Sequence, residues 1–436
     1  MKALTKLIYS DMRPALGVTE PGAIAFAVAK AREQTSGNLL KINLILNSGM
    51  YKNAFTCGIP NCFKIGNEYA AALGFLAADA TLGLECLDSI RAEDNRAAEN
   101  LVKSGKVHVK LGEISSVIFI HAEVITDKGS AAVTIRDSHT NITEIVRNGK
   151  VVFSTKTAKD DNNHEPSVPD IHKHSLLQII NYITKVPAEE IAFIDKAYEL
   201  NLALFEQALH SQRTTITAYL YRENDRKTIS TDEQKTASLL CNGAIEARVL
   251  GFSRPAMSIT GSGAHGIIAT LPLYASAKIN NFSHERLLRA TALSYLICMY
   301  IKEYSGKLSA FCGCAIAAGT GMACALAWLK GASNRQISLV IRNMASSITG
   351  MICDGGNHGC AMKGVVAVDA AYRAVNMALN DIAIDAAHGI NGSTPEATMR
   401  NIGLIASPGM VQTEGIIVEI MREKMSTNNK KQHSKE

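Results

Sequence analysis

The stretch SAFCGCAIAAGTGMACALAWL at residues 309–329 carries no charge, and its reading decides the fold. It is long enough to span a bilayer. Its apolar character comes from Gly, Ala and Cys rather than Leu, Ile and Phe, and aromatic anchors are not present at both ends. It therefore reads as a helix in a crowded protein core. The rest of the chain can build such a core: of 436 residues, 47% are hydrophobic and 19% charged, which excludes intrinsic disorder. The formal net charge is +5, and Lys424, Lys430, Lys431 and Lys435, set against Glu436, place most of it in the last residues. A body so close to neutral gives no electrostatic case for nucleic acid. The N-terminal MKALTKLIYSDMRPALG has no uninterrupted apolar run, so a secretory signal is not expected. Ten cysteines without such a signal point to a reducing, cytoplasmic setting.

Upstream, residues 1–35 read as two helices separated by a turn from Leu16 to Gly22. From Leu39 the pattern alternates. LLKINLILN, KVHVKLG, SVIFIHAEVI and SAAVTIRD read as strands, and residues 67–80 as a helix. Asn148-Gly149 joins ITEIVR to KVVFS in the strongest hairpin signal of the chain. TKTAKDDNNHEPSVPDIHKH (155–174) has linker composition, and its His164, His172 and His174 read as solvated rather than as metal ligands. Beyond it the pattern is helical; in 188–210, Ile191, Ile194, Tyr198, Phe205 and Leu209 fall near one face. The expected architecture is α+β. Residues 1–35 and 156–424 form a mainly helical domain, 36–155 an inserted α+β module, and 425–436 a basic, disordered tail.

Two motifs could carry chemistry. Gly261-Ser262-Gly263-Ala264-His265-Gly266 is a literal G-x-G-x-x-G, but Pro255 and the short AMSIT leave little room for the strand a dinucleotide fold needs before it. The loop still lets backbone N–H groups approach an anionic ligand, with the Ser262 hydroxyl and the His265 imidazole beside them. The second motif is cysteine. Six of the ten lie between Cys298 and Cys360, and Cys353 and Cys360 bracket a Gly-rich loop able to aim two thiolates at one centre. Cys312 and Cys314 precede a helix; two residues apart on a helix they would point about 200° from each other, so only one would face a shared metal. No C-x-x-C is present. Spacing alone leaves open three cysteines on a metal or buried core thiols.

PALGVTEP (14–21), KNAFTCGIP (52–60), TGSGAHGIIATLP (260–272), LSAFCG (308–313) and MICDGGNHGCAMK (351–363) together resemble the iron–sulfur L-cysteine desulfidases, relatives of the catalytic domain of [4Fe–4S] L-serine dehydratases. The likeness runs over essentially the whole chain in the same order. It implies one [4Fe–4S] cluster held by Cys312, Cys353 and Cys360, with one iron left for substrate and Cys314 a spare. It implies a lyase that converts L-cysteine, or secondarily L-serine, to pyruvate and ammonia by β-elimination. An open-site iron can act there as a Lewis acid on the departing group. Thr19, Lys52, Asn53, Ser262, Gly263 and Lys363 would line the substrate cavity; for Lys52 and Lys363 ordinary surface pairing is the alternative.

Two positions depart from that family. Val18 stands where its members carry the cysteine that looks like their proton acceptor, and Ala264 where an asparagine is common. Proton transfer then falls to Cys57 by an exchange of thiols, or to Glu20 or His265, with His358 a further candidate. A relative that has lost turnover and keeps the cluster to bind or sense a ligand is the alternative. No partner beyond a small amino acid is implied, and a homo-oligomer is left open.

Overall fold

The computed structural model describes residues 2–155, 168–306 and 308–433, with side chains to residue 424. His164 lies outside the described residues. The N-terminal half holds α1 (Lys2–Asp11), β1 (Arg13–Leu16), α2 (Thr19–Arg32), β2 (Leu39–Leu46), α3 (Ser48–Asn53), α4 (Asn67–Leu76), α5 (Ala92–Lys103), β3 (Val107–Leu111), β4 (Phe119–Thr126), β5 (Gly129–Arg136), β6 (Ile142–Arg147) and β7 (Lys150–Ser154). In β2 the alternation works as the sequence reads it: Ile42, Leu44 and Leu46 are buried, while Asn43 turns the other way and donates to Glu123. The six-stranded sheet has the order β3-β2-β4-β5-β6-β7 and is antiparallel except for β2 beside β3. A parallel neighbour needs a long crossover, and α3 to α5 supply it. Asn148 and Gly149 both take positive φ (49° and 75°), as a two-residue hairpin turn requires.

The helical half continues with α6 (Leu176–Lys185), α7 (Ala188–Ile191), α8 (Asp195–Leu209), α9 (Thr215–Glu223), α10 (Glu233–Val249), β8 (Pro255–Ser258), α11 (Gly263–Ile279), α12 (His284–Ser305), α13 (Gly319–Leu329), α14 (Asn334–Ile348), α15 (Gly359–Leu379), α16 (Pro395–Leu404) and α17 (Val411–His433). The fold is thus α+β and mainly helical. The uncharged stretch at 309–329 begins as extended chain, makes one π-turn (Cys314–Ala318) and ends as α13, almost wholly buried. Its small side chains have a packing cause: a Cβ on Gly321 would stand 2.2 Å from the Ser294 carbonyl oxygen of α12. No helix among the described residues is long and apolar enough to cross a membrane.

The two halves share one contiguous hydrophobic core. Helix α2 packs on α4, β4 and β5, so it sits with the sheet although it precedes residue 36. Strand β1 reaches back to pair antiparallel with β8. His172 Nε2–H donates to the Tyr300 carbonyl (2.9 Å) and the ring stacks on Tyr304, a packing role. The backbone of α17 stays helical to His433, past the start of the expected tail at 425.

Candidate active site

Three short segments bring the cysteines together. Phe311 and Ile352 form an antiparallel bridge, flanked by Cys312 N–H donating to the Met351 carbonyl (2.9 Å) and Cys353 N–H to that of Ala310 (2.6 Å). Cys360 enters the first turn of α15, its thiol 3.5 Å from the Gly355 carbonyl. Lys363, one turn on, pairs with Asp354 and lies within electrostatic reach of the Cys312, Cys353 and Cys360 thiols. Burial works against its charge, and Asp354 with the thiols overcomes that and holds the ammonium above its ordinary range. Burial pushes the Cys360 thiol up to about 12, with Cys353 and Cys312 adding to it. Among the described residues no three His, Cys, Asp or Glu side chains stand close enough to hold a single metal ion.

Cys312 and Cys314 do not diverge as helical spacing predicts. Their thiols share a hydrogen bond, which together with burial drives Cys312 well up. The reason is local: Cys312 belongs to the extended bridge and Cys314 opens the π-turn, so the helical angle between them never applies.

Beside the thiols lies a cavity of about 170 Å³, with Cys314 and Cys353 on one wall. That volume is below the usual range for drug-sized ligands and suits a molecule of a few heavy atoms. Ser262 and His265 of the glycine loop face it, and so does Lys302. His265 Nδ1 is 2.5 Å from the Thr260 hydroxyl, which itself donates to the Ile259 carbonyl at 2.7 Å. The hydroxyl must then accept from Nδ1–H, which leaves the lone pair on Nε2. A Cβ on Gly313 would stand 2.8 Å from that nitrogen, so Nε2 points at the Cys312–Cys314 segment. Burial first, then Lys302 and Arg248, push this imidazole down to about 3.

Glu20 and Asn53 line the opposite side. The Glu20 carboxylate accepts from Asn53 Nδ2 (2.8 Å) and from the Thr19 hydroxyl (3.0 Å), and His139 Nε2 stands 3.8 Å away, an ion-pair distance. Burial alone would raise its pKa; His139, Asn53 and Arg248 reverse that and hold it at about 2. Glu20 is therefore a fixed anion rather than a poised base, and Thr19 a buried support behind it.

Besides Thr19, four of the expected catalytic and substrate residues lie off the cavity lining. Gly263 is packed against Arg248. Lys363 stands behind the thiols. Cys57 is fully buried; burial, then Glu20, raises its thiol far above the usual range, so it is neutral and sealed. Lys52 is neither a surface residue nor a cavity residue: its ammonium donates to the Ser309 and Cys353 carbonyls (3.1 and 2.8 Å) and pairs with Glu414 Oε2 at 3.1 Å. Val18 is buried too, and a Cβ on Gly356 would lie 2.9 Å from its Cγ1. Position 18, where the desulfidase resemblance leads one to expect a cysteine, thus abuts the loop between Cys353 and Cys360. His358, on that loop, is engaged by the buried Glu246 at 2.5 Å. Sequence reasoning missed His139, Lys302 and Asp11, which also line the cavity. His139 lies in the β5–β6 turn, and nothing in a polar turn advertises a reach into a site.

Acid should loosen this arrangement. Below the unfolded imidazole's 6.5 the unfolded chain binds a proton that folded His265, at about 3, refuses. Stability is full above pH 6.5 and falls by about 1.4 kcal/mol per unit towards 3. Glu20 adds a second loss as pH drops from 4.5 towards 2. Urea unfolding between pH 7.5 and 5.5 should show this slope, and His265→Gln should flatten it by about one proton. A slope untouched by the substitution places that proton elsewhere.

Comparison with known proteins now places the chain. Residues 81–419 match the family model of the serine dehydratase alpha chain. The chain belongs to that family. It is 41% identical over 424 residues to a UPF0597 protein of Clostridium botulinum strain Langeland, covering 96% of this chain and 98% of the other. It is 34% identical over 424 residues to a UPF0597 protein of Caldanaerobacter subterraneus subsp. tengcongensis, with 97% and 98% covered. A UPF0597 protein of Clostridioides difficile is 31% identical over 421 residues, with 96% and 99% covered. Those names state no activity, while the family description is that of a lyase-like dehydratase chain.

Proposed function

We propose that this family member is a [4Fe–4S]-dependent lyase that removes the β-substituent of a small α-amino acid, L-cysteine first and L-serine second. The observation that carries the reading is the convergence of Cys312, Cys353 and Cys360 beside a small cavity into which His265 presents an unprotonated nitrogen. The donor set fits a cluster. Burial, then Cys353 and Cys312, pushes the Cys360 thiol up, and Cys314 with burial does the same to Cys312, so these thiols ionise only against a strong positive charge. A cluster asks less of the three thiols than a single ion does, since each thiolate would take its own iron rather than share one centre. Bound there, the cluster would supply an iron with an open position, a Lewis acid for the departing sulfur or oxygen.

This chain's own residues would do the rest. His265 Nε2 receives the α-proton. Free, its low pKa makes it a weak base; an anionic substrate beside Lys302 and Arg248 offsets the two charges that depress it and raises its proton affinity. Glu20, held ionised by His139, Asn53 and Arg248, offers a fixed counter-charge to the substrate ammonium. The enamine product hydrolyses to pyruvate and ammonia, with sulfide released from cysteine or water from serine.

The test is anaerobic reconstitution with iron and sulfide, followed by iron content and pyruvate from L-cysteine and L-serine on one sample. About four irons per chain with pyruvate supports the reading; iron without pyruvate moves it to a ligand-binding or sensing role, which the dry Val18 and sealed Cys57 would favour. Val18→Cys is expected to raise desulfidase turnover about tenfold or more, because it returns a proton acceptor to the cysteine loop. No gain in kcat assigns the proton to His265 alone.

A further inference from the structure

Arg248, at the end of α10, is 5% exposed. Its Nε is buried without a hydrogen-bond partner, and no hydrogen bond or ion pair among the described residues reaches its guanidinium. Glu20 acts on it through space, with no hydrogen bond between them. A buried cation left this way is costly and is sustained by something that binds it. What it faces is the start of α11, a helix of 17 residues: a Cβ on Gly263 would stand 2.7 Å from Arg248 Nε. The N-cap Ser262 makes no side-chain cap bond, and the N–H groups of Gly263, Ala264 and His265 find no acceptor among the described residues. A planar cation and a helix N-terminus with open donors therefore meet at one point.

We infer that Arg248 and the N-terminus of α11 form a binding site for the carboxylate of a small α-amino acid. The guanidinium matches a carboxylate with paired N–H groups, and the helix end adds donors and positive potential. A zwitterion suits the surroundings better than a phosphate. Glu20, Asp11 and Asp137 line the adjoining cavity and would oppose a dianion while welcoming an ammonium. The inference rests on the proposed lyase reading only for the identity of the amino acid, and turnover is not needed to test it.

The experiment compares ligand pairs that differ only in the carboxylate: L-serine with ethanolamine, and L-cysteine with cysteamine under anaerobic conditions. Binding to the full chain is followed by calorimetry and thermal melting, with inorganic phosphate as a third probe. The expected result is binding of at least one amino acid and not of its decarboxylated partner, weakened about 10- to 100-fold in Arg248→Lys and Arg248→Met. The pairs are compared on the unaltered protein, so the answer survives a variant that fails to fold. Equal binding within both pairs, binding of none of the four, or binding of phosphate alone overturns the site. Pyruvate formation with an unchanged KM in Arg248→Met also overturns it while leaving the lyase reading intact. Carboxylate-dependent binding without pyruvate does the reverse.

Discussion

Cys353→Ser and Cys360→Ser are each expected to leave the reconstituted protein colourless, with iron content falling to background and pyruvate formation lost. Serine keeps the size of the side chain but has no accessible anionic form, so it removes the ligand and little else. The backbone around Cys353 is held by its N–H to the Ala310 carbonyl and by the Phe311–Ile352 bridge, neither of which needs the thiol. Melting temperatures should accordingly stay near that of the parent, which separates ligand loss from unfolding. Cys62→Ala is the control: that thiol lies beside Lys64, away from the cavity, and its removal should leave iron content unchanged. Full iron content in both serine variants would return the thiols to the core and end the cluster reading.

Lys52→Met should cost about 3–5 kcal/mol of stability, the penalty of breaking a buried ion pair from one side. The Lys52 side chain is fully buried and that of Glu414 nearly so, which strands the Glu414 carboxylate when its partner goes. Burial opposes the ammonium, yet Cys353 and Glu414 keep its pKa raised, so the charge is present at every physiological pH. The loss should also spread. The two carbonyls that accept from Lys52, those of Ser309 and Cys353, border the segments that carry Cys312 and Cys353. Chemical unfolding should therefore show the lower stability, and reconstitution a lower iron content at equal folded protein. In Lys52→Met/Glu414→Leu most of the stability should return, because the stranded charge is gone, while iron content stays low. Recovery of both together would mean that the pair acts on the fold alone.

Much of the fold was legible because strands and hairpins announce themselves locally. The alternation in LLKINLILN and the Asn148-Gly149 turn need no distant partner to be read, and both stand where the sequence placed them. The mainly helical character of the rest follows from small-residue patterning, explained at Gly321 by the approach of α12. Relations between segments were less legible. Cys312 and Cys314 were separated by a helical angle that a bridge and a π-turn abolish. Lys52, in a suggestive loop, turned out to be an internal strut because its acceptors come from residues 309, 353 and 414. Arg248 and His139 gave no signal at all: each matters through what faces it across the fold, and neither sits in a recognisable motif.

The Asp137–His139 turn gives the cavity a wall that is built on the sheet, while the thiols and the glycine loop belong to the helical body. The thiols and the glycine loop are embedded in the helical body, where small side chains pack backbone to backbone and few exchanges are tolerated. The turn is the tip of a sheet hairpin, the kind of place where substitutions and length changes cost least. On the proposed amino-acid lyase reading, selectivity for the substrate side chain can drift at the turn's exposed positions, while His139 stays fixed because it helps to hold Glu20 ionised. A library confined to the exposed positions 137, 138, 140 and 141, with His139 kept, is thus the economical route to relatives with new preferences, and its members should keep the parent's fold even where they lose its selectivity.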